Sequence, residues 1–161
     1  MINLDKPVRR RNRLPNYDYS TDGYYFVTIC SKDRKRIFGS VPNPSENCTV
    51  YSDIGFVIER HINNISKHYT DVRVDKYIIM PNHIHLIIVI GCSVLNSKES
   101  HSLSNIIGLF NSGVSKETGY SFWQRSFHDH VIRTQREYEK IWRYIDVNPA
   151  LWHKDCFFTD S

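Results

Sequence analysis

The sequence predicts an α+β sandwich: an antiparallel sheet in a split βαβ arrangement, helices mainly on one face, and an extra helix near the C-terminal end. Three observations carry that prediction. Apolar residues follow a period of two in some stretches and of three to four in others, the signatures of strands and of amphipathic helices. The stretches alternate as strand, helix, strand, strand, helix, strand, helix, the order of a split βαβ fold. The chain has 161 residues, 40% apolar and 24% charged, which suits one globular domain with a single core.

Residues 1–20 are polar and basic, contain Pro7 and Pro15, and are expected to form an extended arm ahead of one domain over 21–161. The run from Tyr24 to Ser31 is dense in aromatic and β-branched residues that suit a buried pleated surface, so it reads as the first strand. Residues Gly39 to Asn47, with two prolines, read as a loop. Ile54, Val57, Ile58, Ile62 and Ile65 recur at helical steps and predict a helix up to about Tyr69. Val72 to Met80 and His83 to Ile90 are two β-rich runs separated by Pro81-Asn82, a pair that suits a tight turn, and together they predict a hairpin. After a small, polar segment from Gly91 to Ser102, the residues Leu103, Ile106, Ile107 and Phe110 step helically, with Ser102 as the cap. Phe122 to Arg133 is expected to return a strand to the sheet. Thr134-Gln-Arg-Glu137 has the pattern of a capping box, so a last helix starts near Gln135. Its apolar stripe is Tyr138, Ile141, Trp142 and Ile145, and Pro149 ends it, because the residue before a proline is pushed away from helical angles.

Charge and composition narrow the function classes. The longest apolar stretch, Tyr77 to Ile90, is interrupted by Pro81, Asn82, His83 and His85, short of the roughly 20 residues a membrane helix needs. No apolar run with a cleavage site follows Met1, so a cytoplasmic protein without membrane contact is expected. Cys30, Cys48, Cys92 and Cys156 form no C-x-x-C pair and read as reduced thiols. The net charge is only +4, but it is uneven: Lys6, Arg9, Arg10, Arg11 and Arg13 crowd the arm, and Lys32, Arg34, Lys35 and Arg36 form a second cluster. Such clusters neutralise phosphates, and they serve equally as solvated surface.

His83 and His85 lie two residues apart in a predicted strand, so both imidazoles face the same way and can chelate one divalent cation. The spacing is common, and a pair bonded to backbone or water fits it as well. A tyrosine can attack a phosphodiester once a metal or a cation favours its phenolate. Of ten tyrosines, Tyr144 stands out. Tyr144 and Asn148 are four residues apart, one turn along the last helix and to one side of its apolar stripe. Tyr138 falls inside the stripe, where packing explains it. Taken alone, Tyr144 also fits an ordinary amphipathic helix.

Four segments carry a resemblance: Tyr25-Phe-Val-Thr-Ile-Cys30, Met80-Pro-Asn-His-Ile-His85, Trp123-Gln-Arg-Ser-Phe-His-Asp-His-Val-Ile-Arg133, and Tyr144-Ile-Asp-Val-Asn-Pro149-Ala-Leu-Trp152. In this order, from about Arg10 to Trp152, the chain resembles the REP-associated tyrosine transposases, which belong with the single-tyrosine HUH transposases of bacterial insertion sequences. The resemblance implies that His83, His85 and Asn148 bind Mg²⁺ or Mn²⁺ and that Tyr144 is the nucleophile. It also implies a substrate of single-stranded or hairpin DNA, nicked and rejoined through a 5′-phosphotyrosine link, and either a monomer or a homodimer. Arg9, Arg10, Arg11, Arg13, Lys35, Arg36, Arg125 and Arg133 are the expected DNA contacts, while His128 and His130 fit plain exposure. A non-catalytic nucleic-acid-binding module, stacking bases on Tyr24, Tyr25 and Phe26 as RNA-recognition domains of this topology do, is the alternative. A metal-dependent phosphodiesterase using activated water is another.

Overall fold

A computed structural model describes residues 13–91 and 101–160. Lys6, Arg9, Arg10, Arg11, Cys92 and most of the polar segment after Gly91 lie outside the described residues. In chain order the elements are β1 (Gly23–Cys30), β2 (Gly39–Ser40), β3 (Val50–Tyr51), α1 (Asp53–His68), β4 (Val72–Ile79), β5 (His83–Ile90), α2 (Leu103–Thr118), β6 (His128–Ile132) and α3 (Gln135–Asp146). A further 3₁₀ turn spans Pro149–Lys154.

The main sheet has the order β4-β5-β1-β6. Both β1 and β4 run antiparallel to β5, so the two strands joined through α1 are parallel with β5 between them, the split βαβ arrangement. Tyr25, Val27 and Ile29 of β1 and Ile84, Leu86 and Ile88 of β5 share the core with Ile58, Ile62 and Ile65 of α1 and Ile106, Ile107 and Phe110 of α2. The other face carries Phe26, Ile78, Ile87 and Ile132, and against them lies α3 with Tyr138, Ile141, Trp142 and Ile145. Two helices thus cover one face, and the third covers the face to which His83 and His85 belong.

Two expected elements differ. The expected loop opens with β2, which pairs with β3 just beyond its end as a short ribbon around a 3₁₀ turn at Pro44–Glu46. The strand expected over Phe122 to Arg133 is confined to β6, with one isolated bridge from Trp123 to Ser31. Phe122 and Trp123 are drawn instead into a ring cluster with Phe38.

Local signals explain the helix starts. Ser52, Ser102 and Thr134 each accept a hydrogen bond from the backbone N–H three residues on, at 3.1, 3.3 and 3.2 Å. Glu137 departs from the expected capping box: its carboxylate accepts from the N–H of Arg133 at 2.9 Å, one residue before the cap. Gly55, in the first turn of α1, lies against the chain at Phe38, and a methyl group there would collide with the Phe38 carbonyl oxygen. Gly55→Ala is therefore expected to destabilise the fold by about 1 to 3 kcal/mol, read as a lower urea midpoint.

Contacts at both ends fix α3 over the sheet. The Tyr138 hydroxyl donates to Asp75 at 3.0 Å, where β4 bulges. Near the other end Lys76 pairs with Asp146 at 2.6 Å and lies over the Trp142 ring. Asn47 donates to the Asp146 carbonyl at 2.7 Å and accepts from the Ala150 N–H at 3.0 Å, holding the turn that follows the helix. That clamp sets where Tyr144 and Asn148 stand.

Candidate metal and nucleophile site

β5 carries His83 and His85 into the space between the sheet and α3, where both are fully or almost fully buried. Their Nε2 atoms lie 3.1 Å apart. The Tyr144 hydroxyl is 3.2 Å from His85 Nε2, and its ring packs edge-on to Phe26. Tyr144 also donates to Asp155 Oδ2 at 3.5 Å. Asn148 follows one turn after Tyr144, is 3% exposed, and donates from Nδ2 to Asp155 Oδ2 at 3.0 Å. It keeps helical angles (φ −58°, ψ −43°) although Pro149 follows, because the chain runs straight on into the 3₁₀ turn. The proline therefore does not turn Asn148 away from the site, as the pre-proline rule alone suggests.

Asp155 is the residue that sequence reasoning missed. Its side chain is 2% exposed, its Oδ2 lies 3.8 Å from His83 Nε2, and its Oδ1 accepts from the Phe157 N–H at 2.7 Å. Ligand atoms of His83, His85 and Asp155 all fall within 4.8 Å of one another. The Asn148 Oδ1 is buried without a hydrogen-bond partner. An orphaned carbonyl oxygen, a buried carboxylate and two imidazole nitrogens thus converge with no cation side chain among them. Leaving the Asn148 carbonyl oxygen unpaired costs about 1 to 3 kcal/mol. A divalent cation would satisfy that oxygen and could draw on the carboxylate and the two imidazoles as well, so the residues fit a hard or borderline metal such as Mg²⁺ or Mn²⁺.

The electrostatics agree with that donor set. Burial, then the Arg34 guanidinium, pushes the His83 imidazole down to about 3, and burial followed by His83 pushes His85 well below its ordinary value. Both rings are therefore neutral near pH 7, the form that binds metal. Burial and then the Asp155 carboxylate push the Tyr144 phenol up to about 12, so without a cation it stays protonated.

The expected DNA contacts divide. Arg125 lines an open groove of about 830 Å³ with Lys32, Arg34 and Trp123, at the end of β1 nearest the histidines. Lys35 is exposed in the same loop. The Arg36 guanidinium sits over the rings of Trp152 and Phe158, its Nε and Nη2 buried without partners, so it is turned inward toward the C-terminal segment. Arg13 stacks on Tyr19 and Phe127. Arg133 lies at the far end of β6, beside a separate cavity of about 330 Å³ with Tyr24 and Tyr138. His130 pairs with Glu137 at 2.5 Å, while His128 is exposed.

Comparison with known proteins accords with this picture. No protein-family model matches the chain. It is 31% identical over 172 residues to an uncharacterized protein of Haemophilus influenzae, covering 94% of each. It is 25% identical over 148 residues to a "Putative REP-associated tyrosine transposase" of the same organism, covering 85% of this chain and 77% of that one. Two solved structures share the fold. One is a REP-associated tyrosine transposase bound to a REP hairpin (TM-score 0.64, 17% identity, 88% of this chain and 73% of that one). The other is a "putative transposase" from Deinococcus radiodurans (TM-score 0.50, 11% identity, 83% and 95%). The fold is thus a transposase fold. The chain belongs to one family with the Haemophilus influenzae protein of 31% identity, and it is similar in sequence and in fold to REP-associated tyrosine transposases.

Proposed function

We propose that the protein nicks and rejoins single-stranded DNA, hairpins of the REP type above all, through a covalent 5′-phosphotyrosine intermediate in DNA transposition. The observation that carries this reading is the Tyr144 hydroxyl, 3.2 Å from His85 Nε2 and beside a cluster of buried metal-type acceptors. His83, His85, Asn148 and Asp155 would hold Mg²⁺ or Mn²⁺, which when bound polarises a non-bridging phosphate oxygen and steadies transition-state charge.

The chain's own groups supply the rest. The Tyr144 oxygen attacks phosphorus in line, the bond from phosphorus to the 3′-oxygen breaks, and that oxygen leaves as a 3′-hydroxyl. Asp155 Oδ2 is the acceptor within reach of the phenol proton. The phosphodiester energy stays in the tyrosyl link, so a 3′-hydroxyl, the same or another, reseals the strand by the reverse step without a nucleotide cofactor. Arg125, with Lys32 and Arg34 beside it, and the exposed Lys35 supply phosphate contacts on the histidine side. Arg9, Arg10, Arg11 and Arg13 of the arm are proposed to add to them; Arg36 and Arg133 stand less directly in the strand's path. Tyr144 meets His85 within one chain, which supports a nucleophile acting in its own subunit.

The competing module reading has less support. Tyr25 is buried under α1 and α2, and Phe26 lies beneath α3 against His85 and Tyr144, so neither offers a free face for a base. Among the described residues no helix is long and apolar enough to cross a membrane.

Incubated with Mn²⁺ and a REP-type hairpin oligonucleotide, the protein is expected to form an adduct that survives denaturing electrophoresis. Cleavage without an adduct would transfer the reading to an activated-water phosphodiesterase. Binding without cleavage across several hairpins would favour the module.

A further inference from the structure

We propose that Asn82 is a positioning residue that presets His83 for the divalent cation by fixing which ring nitrogen carries the proton. The inference rests on the reading of His83 and His85 as metal ligands. Asn82 is fully buried in the turn between β4 and β5. Its Nδ2 donates to two backbone carbonyls, Arg34 O at 3.1 Å and Phe157 O at 2.8 Å. Those two acceptors decide the orientation of the amide, because the flipped form would set Oδ1 against two carbonyl oxygens. Oδ1 therefore faces His83 Nδ1 at 2.9 Å, and as an acceptor it requires Nδ1 to be the protonated nitrogen. Nε2 is left with its lone pair turned toward His85 and Asp155, the form a metal needs.

His85 is held differently. Its Nδ1 contacts the Thr28 hydroxyl at 2.8 Å, a group that donates or accepts by rotation. The close approach of the two Nε2 atoms requires a donor. His83 cannot be that donor, so in the absence of a cation His85 Nε2–H donates to it. When a cation binds, His85 can exchange to its Nδ1–H form with Thr28 accepting. One ligand is thus locked by an amide and the other is adjustable. The lock also joins the Arg34 loop and the Phe157 segment to the metal position.

Histidine ring ¹⁵N NMR on the metal-free protein reads the tautomer, and Mn²⁺ titration followed by electron paramagnetic resonance reads affinity. Wild type is expected to show His83 in the Nδ1–H form. Asn82→Asp keeps an acceptor at Nδ1 and is expected to keep that tautomer and at least wild-type Mn²⁺ affinity. It does so despite lower stability, because its carboxylate faces the two carbonyls. Asn82→Ala is expected to lose the tautomer preference and about 10- to 100-fold in Mn²⁺ affinity. The inference is overturned if Asn82→Ala retains both tautomer and affinity. It is equally overturned if both variants lose affinity in proportion to stability, since that marks a merely structural role. Wild-type protein that binds no Mn²⁺ would instead sink the metal reading itself.

Discussion

Replacing Tyr144 with phenylalanine is expected to abolish the DNA adduct and to slow strand cleavage by at least about 10⁴-fold. The fold should survive. The ring keeps its packing on Phe26 and His85 at 6.1 and 5.2 Å between centroids, and only a hydroxyl at the rim of the site is lost. Thermal stability should change by no more than about 1 kcal/mol. Tyr138→Phe is the matched control: it also removes one hydroxyl from α3, the one bonded to Asp75, and although it loosens one end of the helix the DNA adduct should still form. The size of the Tyr144 effect follows from chemistry. With the phenol held up at about 12 by burial and by Asp155, roughly one molecule in 10⁴ carries phenolate at pH 8, so adding a divalent cation should lower that value. The phenolate ultraviolet band of Tyr144, taken as wild type minus Tyr144→Phe, should therefore move to lower pH with Mn²⁺. A Tyr144→Phe protein that still cross-links to DNA would place the nucleophile elsewhere.

The parts of this site that were legible in the sequence are those governed by a local period. Two residues per strand repeat put His83 and His85 on one face, and four residues per helix turn put Asn148 beneath Tyr144. Which face of the sheet α3 would cover was not legible, because Tyr138, Ile141, Trp142 and Ile145 define a stripe without saying where it docks. The docking depends on Asp75 and Lys76 of β4, distant in sequence, which hold both ends of the helix. Asp155 had no local signal at all. It follows a proline and a 3₁₀ turn, where no period links it to the histidines, and only the return of that segment over the sheet brings its carboxylate in. Asn82 looked like a turn residue by composition; its bonds to Arg34 and Phe157 come from opposite ends of the chain. The Arg36 guanidinium fell among basic neighbours in sequence, yet Trp152 and Phe158 turn it inward. Local periodicity thus put the histidines on one face and the asparagine below the tyrosine, the family resemblance singled them out, and tertiary closure supplied the carboxylate and the groups that orient them.

The same burial that readies the histidines for metal should make the metal-free protein sensitive to mild acid. His83 has a folded value near 3 against an ordinary value of 6.5, lowered by burial and Arg34, and His85 is lowered in the same direction. Between those two values the unfolded chain binds a proton that the folded chain refuses, so stability rises with pH over that window and falls as pH drops below 6.5. Its full value is present above 6.5. For His83 alone the loss from pH 7 to pH 5 comes to about 2 kcal/mol, with His85 adding to it. Urea midpoints across that range should show the slope in wild type and a much flatter dependence in a His83→Gln, His85→Gln protein, even though the double variant loses bonds to Asn82 and Thr28. Metal should oppose the effect, since coordination holds both rings neutral: at a hundred times its dissociation constant Mn²⁺ adds about 2.7 kcal/mol to wild type. It should add nothing to the double variant. Equal slopes in the two proteins would mean that the imidazoles are not the groups that acid attacks.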